Sequence, residues 1–319
     1  MRVFFAEYLS GLTEEPLDAG LLAQGLAMRD AVLADLLACA AQDPALAISC
    51  AVTAQAPLPP GFGAVRQLAL QTGESAVDFV RRQAAGHDAV WLVAPETDGL
   101  LAALCEAVPP AQWLGCDAAS IRLATSKART TELLHARGVL TPHAFASEAW
   151  AWVVKPDDGV GGTDARRHAR RDAAEADLAQ RRAAAVLEPW VEGAAMSLTL
   201  LCDGRGGAEL WSVNRQAIEV DADGALIERG VEPISVLAEL ALQQLAQQVA
   251  QALPGLFGPV GIDYVAHPAR GPVLIEVNPR VTSVYSGLMS QGPGPGRRSL
   301  ARAALDLFAA TRGGSPPAR

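Results

Sequence analysis

The stretch 274-LIEVNPR-280 combines an apolar strand pattern with polar side chains at its end. Its Leu, Ile and Val residues are typical of a buried strand, yet Glu276 places a carboxylate inside that run. Glu276 and Asn278 are two positions apart, so they extend from the same face of the strand. Pro279 ends the strand and Arg280 follows it with a fixed positive charge. A strand that only filled a core would not need these groups, so we expect a ligand here.

A second predicted strand, 261-GIDYV-265, adds Asp263 to this set. Asp263, Glu276 and Asn278 are three oxygen-bearing side chains at the ends of two predicted neighbouring strands. Oxygen ligands without His or Cys suit Mg²⁺, usually completed by phosphate oxygens and water. The alternative is an ion pair between Glu276 and a nearby Lys or Arg, which would leave the other two side chains unexplained.

A glycine-rich segment, 153-VVKPDDGVGGTD-164, begins with a strand that ends at Lys155. Glycines at 159, 161 and 162 allow successive backbone N–H groups to approach an anion closely, as in phosphate-binding loops. The spacing matches neither the P-loop nor the dinucleotide-binding fingerprint. A simple hairpin tip is the alternative, and the lysine that enters the loop favours the anion site.

The first hundred residues alternate predicted strands and helices, which favours a parallel sheet covered by helices. The strands are predicted at 2–6, 46–53 and 89–94, and the helices at 20–41 and 74–85. The end of the third strand, at 94–96, is where such sheets place ligands. Further along we predict helices at 117–137, 170–184 and 235–253, and strands at 186–193, 196–203, 209–220, 260–266 and 273–279.

Composition limits the classes of partner. The chain of 319 residues carries a net charge of −9, which argues against nucleic acids and anionic membranes. Its five widely spaced cysteines predict reduced thiols rather than disulfides or a zinc site. We find no signal-peptide pattern and no apolar run of about 18 residues, so we expect a cytoplasmic protein without a membrane span.

These motifs, in this order, resemble the ATP-grasp family of carboxylate–amine ligases over about residues 115 to 310. The resemblance rests on Lys155 with its glycine loop, 187-LEPWVEG-193, and the Asp263, Glu276 and Asn278 set. It implies an α/β chain (α+β in its C-terminal part) with a Rossmann-like pre-ATP-grasp domain followed by a two-subdomain ATP-grasp fold. The implied boundaries are 1–115 for the first domain, 116–185 for the central subdomain with its lid loop, 186–312 for the C-terminal subdomain and 313–319 for a flexible tail.

The resemblance also implies an ATP site. Lys127 and Lys155 would contact the phosphates, and Glu188 would accept a hydrogen bond from the adenine amino group. The usual acidic ribose contact is Ala195 here, so either Glu192 replaces it or the contact is lost. The lid loop would close over the β- and γ-phosphates through Asp157, Gly159, Gly161, Gly162 and Thr163. The backbone of the adenine hinge would be Pro189, Trp190 and Val191.

The implied cofactors are ATP and two Mg²⁺ ions, with Mn²⁺ as a substitute. Asp263, Glu276 and Asn278 would hold the ions, with Glu276 bridging them. Arg280 would neutralise the transferring phosphoryl group as a catalytic residue. Some relatives carry another arginine two positions before the aspartate, which is glycine here, so Arg215 is the second candidate.

The implied reaction joins a small-molecule carboxylate to an amine through an acyl phosphate, releasing ADP. A narrower resemblance, carried by 7-EYLSG-11, 24-QGLAM-28, 214-NRQ-216 and 278-NPRVTSVYSGL-288, is to tyramine–glutamate ligases of methanofuran-type cofactor biosynthesis. It implies glutamate and tyramine or tyrosine as substrates. The candidate substrate contacts are Glu7, Asn214, Thr282, Ser283 and Tyr285.

Three alternatives remain open at this point. A carboxylase-type ATP-grasp enzyme would phosphorylate bicarbonate. A nucleotide-binding protein without turnover predicts damaged metal ligands, whereas Asp263, Glu276 and Asn278 are all intact. A purely structural α/β protein would have to carry the lysines, the glycine loop and the oxygen ligands by chance. A homodimer is left open by the sequence.

Overall fold

The structure is a computed structural model that describes residues 1–13, 15, 18–159, 162–234, 240–291 and 298–313. The strands are β1 (Arg2–Glu7), β2 (Ala47–Ala51), β3 (Arg66–Leu68), β4 (Ala89–Val93), β5 (Trp152–Pro156), β6 (Arg166–His168), β7 (Ala185–Pro189), β8 (Ala194–Asp203), β9 (Ala208–Val220), β10 (Leu226–Ile234), β11 (Phe257–His267) and β12 (Gly271–Asn278). The helices are α1 (Tyr8–Gly11), α2 (Ala19–Gln42), α3 (Ala76–Ala84), α4 (Leu100–Glu106), α5 (Ala118–Thr125), α6 (Lys127–Ala136), α7 (Arg171–Gln180), α8 (Leu240–Ala252), α9 (Val284–Gln291) and α10 (Leu300–Gly313).

The first sheet is parallel, with the order β3-β2-β1-β4. Strand β1 is buried on both faces, as expected for a parallel sheet between helices. Phe5 faces the layer of α2 and α10, while Phe4 faces α3 and α4 and meets the edge of Phe79 at a ring distance of 5.8 Å. The predicted Rossmann-like first unit is confirmed.

The second sheet is antiparallel and small, with the order β6-β5-β7. Strand β7 pairs with β5 along its whole length, with Val154 opposite Leu187. The predicted boundary at 185/186 falls after the first residue of β7 and so divides this strand from the sheet in which it lies. We place the boundary after Pro189.

The third sheet is antiparallel, with the order β10-β9-β8-β11-β12. Leu245 and Val249 of α8 pack on one face against Leu198 and Ile262. Strand β10 was not predicted from the sequence, because Gly230 and charged residues interrupt its apolar pattern. Such residues are tolerated at a sheet edge, which is where β10 lies.

Two predicted helices differ from the structure. The helix predicted over 117–137 is two helices, α5 and α6, separated at Ser126, whose hydroxyl accepts a hydrogen bond from the backbone N–H of Arg129. This N-cap starts α6 at Lys127. The helix predicted over 235–253 is observed from Leu240, and residues 235–239 lie outside the described residues. The tail beyond Gly313 also lies outside them.

The tip of the β9–β10 hairpin is bonded to the small second sheet. The N–H of Arg167 donates to the carbonyl oxygen of Gly224 at 2.7 Å, and the N–H of Leu226 donates to that of Ala165 at 2.9 Å. Gly224 has a φ of +84°, and a Cβ there would collide with the carbonyl oxygen of Arg167. We call this contact the hairpin latch; it closes one end of the space between the second and third sheets.

Two further expectations concern covalent and membrane features. All five cysteines carry free thiols, and all five are buried. Within the described residues, every helix is too short or too polar to cross a bilayer.

Candidate functional site

A cavity of about 490 Å³ lies between the second and third sheets. Arg215 lines it, and so do most of the predicted nucleotide and metal residues. These are Lys127, Lys155, Gly159, Gly162, Thr163, Glu188, Pro189, Trp190, Val191, Asp263, Glu276 and Asn278. Residues that are distant in the sequence therefore converge on one space, which we call the larger cavity. Gly161 lies outside the described residues.

Lys155 and Glu188 form a buried ion pair in the wall of the larger cavity. Lys155 is on β5 and Glu188 is on the adjacent β7, and the Nζ to Oε2 distance is 2.7 Å. The other carboxylate oxygen of Glu188 is buried and has no hydrogen-bond partner in the described part of the chain. Because a buried acceptor without a partner is unfavourable, this oxygen is available to a ligand donor.

Lys127 connects the glycine loop to the metal-ligand candidates. Its Nζ donates to the carbonyl oxygen of Gly159 at 2.5 Å and lies 2.9 Å from Oε1 of Glu276. The ion pair considered as the alternative for Glu276 is thus present. Asp157 instead caps α6, since its carboxylate accepts from the N–H of Ala128 at 2.9 Å, and it does not line the larger cavity.

Asp263 on β11 lies directly opposite Glu276 on β12. Two amides hold its carboxyl group: Gln216 donates to Oδ1 at 2.9 Å, and Asn278 donates to Oδ2 at 3.0 Å. Burial, together with the charge of Glu276, raises the pKa of Asp263 to about 7. A divalent cation would relieve this repulsion, so the group fits the predicted metal site.

The protein supplies few metal ligands of its own. The described residues contain no cluster of three or more His, Cys, Asp or Glu side chains suited to a metal ion. Two carboxylates and one amide would leave coordination positions for other oxygen ligands, which is typical of Mg²⁺ bound together with phosphate.

We expect the stability of the metal-free protein to fall as the pH rises from about 4 to about 7. The folded-state pKa of Asp263 is raised from 3.8 to about 7, so over this window the folded state holds a proton that the unfolded state has lost. The slope from this group is up to about 1.4 kcal/mol per pH unit.

Thermal unfolding in EDTA at several pH values tests this expectation. Asp263→Asn should have a flatter pH profile than the wild type over this window, because the amide does not titrate. Mg²⁺ should stabilise the wild type most at the alkaline end. Identical pH profiles for the two proteins would contradict the assignment.

A second cavity of about 120 Å³ adjoins the first, and we call it the smaller cavity. Asp263, Asn278, Gln216 and Glu228 line both cavities, so the two spaces meet at these side chains. Its remaining polar lining includes Glu7, Ser197, Arg280, Thr282 and Ser283. The predicted substrate contacts Thr282 and Ser283 therefore lie beside the metal-ligand candidates.

Arg280 lies in the smaller cavity and is held by Glu96 from the end of β4. Its Nη2 lies 2.9 Å from Oε2 of Glu96, and its Nη1 donates to the carbonyl oxygen of Val281 at 3.1 Å. Arg215 is exposed on β9 and lines the larger cavity. The two predicted cations thus serve different cavities.

Two predicted substrate residues have structural partners. The carboxylate of Glu7 caps α1 by accepting from the N–H groups of Leu9 and Ser10 at 3.1 and 2.9 Å, although Glu7 still lines the smaller cavity. Asn214 is fully buried, donates to the carbonyl oxygen of Ser197 at 3.2 Å and lines neither cavity. This hydrogen bond holds the backbone of Ser197, which lines the smaller cavity.

Two predicted contacts lie elsewhere in the structure. Glu192 is exposed and outside the larger cavity, which Ala195 lines instead, so its assignment as a ribose contact is not kept. Tyr285 is buried, and its hydroxyl donates to Oδ2 of Asp35 on α2 at 2.7 Å. Since Tyr285 lines neither of the two cavities, we assign it a structural role.

Tyr285→Phe should lower the free energy of unfolding by about 1 to 3 kcal/mol, because Asp35 then loses a donor in the core. ADP release should stay within about twofold of the wild-type rate, as the hydroxyl lies outside both cavities. Chemical denaturation and a steady-state assay measure the two effects. A large rise in substrate KM with unchanged stability would restore Tyr285 as a substrate contact.

Three useful residues were absent from the sequence-based site: Gln216, Glu228 and Glu96. Gln216 stands in the 214-NRQ-216 motif, and Glu96 stands at the strand end where parallel sheets place ligands, so both carried a signal. Glu228 carried none, because its strand was not predicted.

Comparison with known proteins agrees with this geometry. The family model of the ATP-grasp domain matches residues 124–284, and the family model of the pre-ATP-grasp domain matches residues 46–121. No curated protein matches the sequence.

The fold is similar to that of several solved structures. The L-amino acid ligase from Bacillus licheniformis is 18% identical, with a TM-score of 0.66 over 98% of this chain and 75% of the other. The VanG D-Ala:D-Ser ligase from Enterococcus faecalis is 15% identical, with a TM-score of 0.64 over 96% and 99% of the two chains.

A carboxylase is equally similar in fold. The biotin carboxylase domain of 2-oxoglutarate carboxylase from Hydrogenobacter thermophilus, solved with MgADP and bicarbonate, is 13% identical, with a TM-score of 0.67 over 99% and 70% of the chains. At these identities the likeness is one of fold, whereas the ATP-grasp model covers half of the sequence. The chain belongs to the ATP-grasp family.

Proposed function

We propose that this protein is an ATP-dependent carboxylate–amine ligase that forms an amide through an acyl phosphate. The observation that carries the proposal is the meeting of two cavities at Asp263 and Asn278, which line both. The larger cavity has lysines for phosphates, and the smaller one has Arg280 beside acidic side chains. Such an arrangement suits a phosphoryl group that passes from one bound molecule to another.

The larger cavity fits a nucleotide. Its volume of about 490 Å³ lies within the range of ligand pockets. Oε1 of Glu188, which has no hydrogen-bond partner among the described residues, can accept a hydrogen bond from the amino group of adenine. Lys155 and Lys127 can reach phosphate oxygens once they leave their carboxylate partners. Gly159, Gly162 and Thr163 supply the loop wall.

Mg²⁺, two ions in our proposal, would neutralise phosphate charge between Asp263, Glu276 and Asn278. The chain's own contribution is positioning and exclusion of water. Arg280 would balance charge on the carboxylate substrate as its oxygen takes the γ-phosphoryl group of ATP. The glycine loop would cover the site, because water would hydrolyse the acyl phosphate.

The lining of the smaller cavity favours an amine acceptor over bicarbonate chemistry. Among the described residues that line it, Arg280 supplies the positive charge, while Glu7, Glu228 and Asp263 carry carboxyl groups. A bound metal would offset Asp263, and the remaining acidic groups favour a cation. Glutamate with tyramine or tyrosine, as the resemblance to methanofuran-type ligases implies, is the substrate pair we propose to test first.

The test measures ADP release with ATP and Mg²⁺ over a panel of carboxylates and amines, including glutamate, tyramine, tyrosine and bicarbonate. The ligase predicts release that needs both a carboxylate and an amine, with an amide as the product. Release that needs bicarbonate would identify a carboxylase-type enzyme. Nucleotide binding without release for any pair would identify a binding protein.

A further inference from the structure

We propose that Glu228 binds the ammonium group of the acceptor amine and so gives cationic amines a lower KM than neutral ones. This inference rests on the proposed ligase function and assigns a residue to its second substrate. Glu228 lines both cavities, so an amine nitrogen held by it would lie beside the acyl phosphate that it attacks. The carboxylate can take the proton that the ammonium must lose before this attack.

A β-bulge directs Glu228 into the site. Glu228 pairs with Ile218 of β9, but the next paired residue is Gly230, opposite Ala217, so Arg229 is the extra residue. The side chain of Arg229 forms an exposed ion pair with Glu219 at 2.8 Å. The bulge thus separates two consecutive charges, placing the cation in solvent and the carboxylate in the cavities. Bulges commonly direct a side chain in this way beside active sites.

Glu228 differs from the other acidic side chains around the site. Glu276, Glu188 and Glu96 each pair with a lysine or arginine, while hydrogen-bond donors hold Asp263. No hydrogen bond or ion pair is formed by the side chain of Glu228 among the described residues.

Burial raises the pKa of Glu228, and no described group lowers it in compensation. A half-buried carboxylate without a partner costs stability unless a ligand cation completes it. Asp263 is also directed to the junction, but its two amide donors and the adjacent Glu276 commit it to the metal set. Glu7 also lines the smaller cavity, but its carboxylate accepts from the N–H groups of Leu9 and Ser10. Glu228 is therefore the carboxylate left for the amine.

The experiment compares wild type, Glu228→Gln and the control Glu219→Gln, which removes an exposed carboxylate from the same hairpin. Each is assayed with the carboxylate found in the panel and two acceptors: tyramine, which is a cation at neutral pH, and hydroxylamine, which is largely uncharged. We expect Glu228→Gln to raise the KM for tyramine about 10- to 100-fold. Hydroxamate formation and the KM for ATP should stay within about twofold.

A second measurement separates recognition from folding. Glu228→Gln should melt at the same temperature as wild type or higher, because it removes a poorly solvated charge. A clearly lower melting temperature, together with equal losses for both acceptors, would make Glu228 a structural residue and overturn the inference.

Each of the remaining outcomes also contradicts one of the proposed assignments. An unchanged KM for tyramine would overturn the role of Glu228 while leaving the ligase intact. A raised KM for ATP with both acceptors would assign Glu228 to the metal and nucleotide instead. If wild type makes neither amide nor hydroxamate from any carboxylate, the ligase proposal fails and this inference fails with it.

Discussion

Glu276→Gln should reduce ATP-dependent turnover by about 10³-fold while the protein remains folded. Glu276 faces Asp263 across the strand pair and contacts Lys127 at the edge of the glycine loop. The amide keeps the shape of the side chain but removes the charge that a divalent cation needs. Lys127 keeps its bond to the carbonyl oxygen of Gly159, so the cost in stability should be about 1 kcal/mol.

ADP release and thermal unfolding, each with and without Mg²⁺, measure these effects. Glu209→Gln is the matched control, because Glu209 is an exposed carboxylate on β9 outside both cavities. Wild-type turnover in Glu276→Gln, accompanied by a steep loss of stability, would favour the purely structural ion pair with Lys127.

Arg280→Met should lower the free energy of unfolding by about 3 kcal/mol and turnover by at least about 10²-fold. Arg280 and Glu96 are 12% and 6% exposed, so removing the guanidinium leaves a buried carboxylate without its cation. Adding Glu96→Gln to this variant should recover most of the stability, since no unpaired charge remains. It should recover no activity, because the cation of the smaller cavity is still missing.

Denaturant unfolding of the two single variants and the double variant gives the coupling energy directly. Glu96→Gln alone is the informative control: it should destabilise the protein less than Arg280→Met and retain partial turnover, since Arg280 keeps its bond to the carbonyl oxygen of Val281. Recovery of activity in the double variant would show that Arg280 acts only by neutralising Glu96.

The metal-ligand candidates could be predicted from the sequence because strand geometry determines where they lie. Residues two apart share a strand face, and β11 and β12 form a hairpin, so Asp263, Glu276 and Asn278 had to converge. Lys155 could be predicted for a similar reason, as it ends a strand at a glycine loop.

The pairing of these lysines could not be predicted in the same way. Lys155 meets Glu188 across neighbouring strands, and Lys127 meets Glu276 across two parts of the fold. Both contacts depend on how the sheets pack together, which local sequence patterns do not specify.

The errors have local physical causes. Strand β10 escaped prediction because Gly230 and several charges interrupt its alternation, and with it Glu228 was missed. Tyr285 lies shortly after β12, which carries the metal-ligand candidates. Nothing in the sequence indicates that Asp35, 250 residues away, accepts a hydrogen bond from its hydroxyl. A polar residue near a site is a weak signal of function, because a buried partner can account for it equally well.

The hairpin latch has a kinetic consequence. The backbone hydrogen bonds of Leu226 and Arg167 that form it contribute about 1 kcal/mol each. Separating the small sheet from the hairpin is therefore a local opening with a low free-energy cost. Leu226 is two residues from Glu228 on the same strand, so this opening would also disturb the wall shared by the two cavities. For the proposed ligase, we expect release of ADP, phosphate and the amide to be stages of one motion.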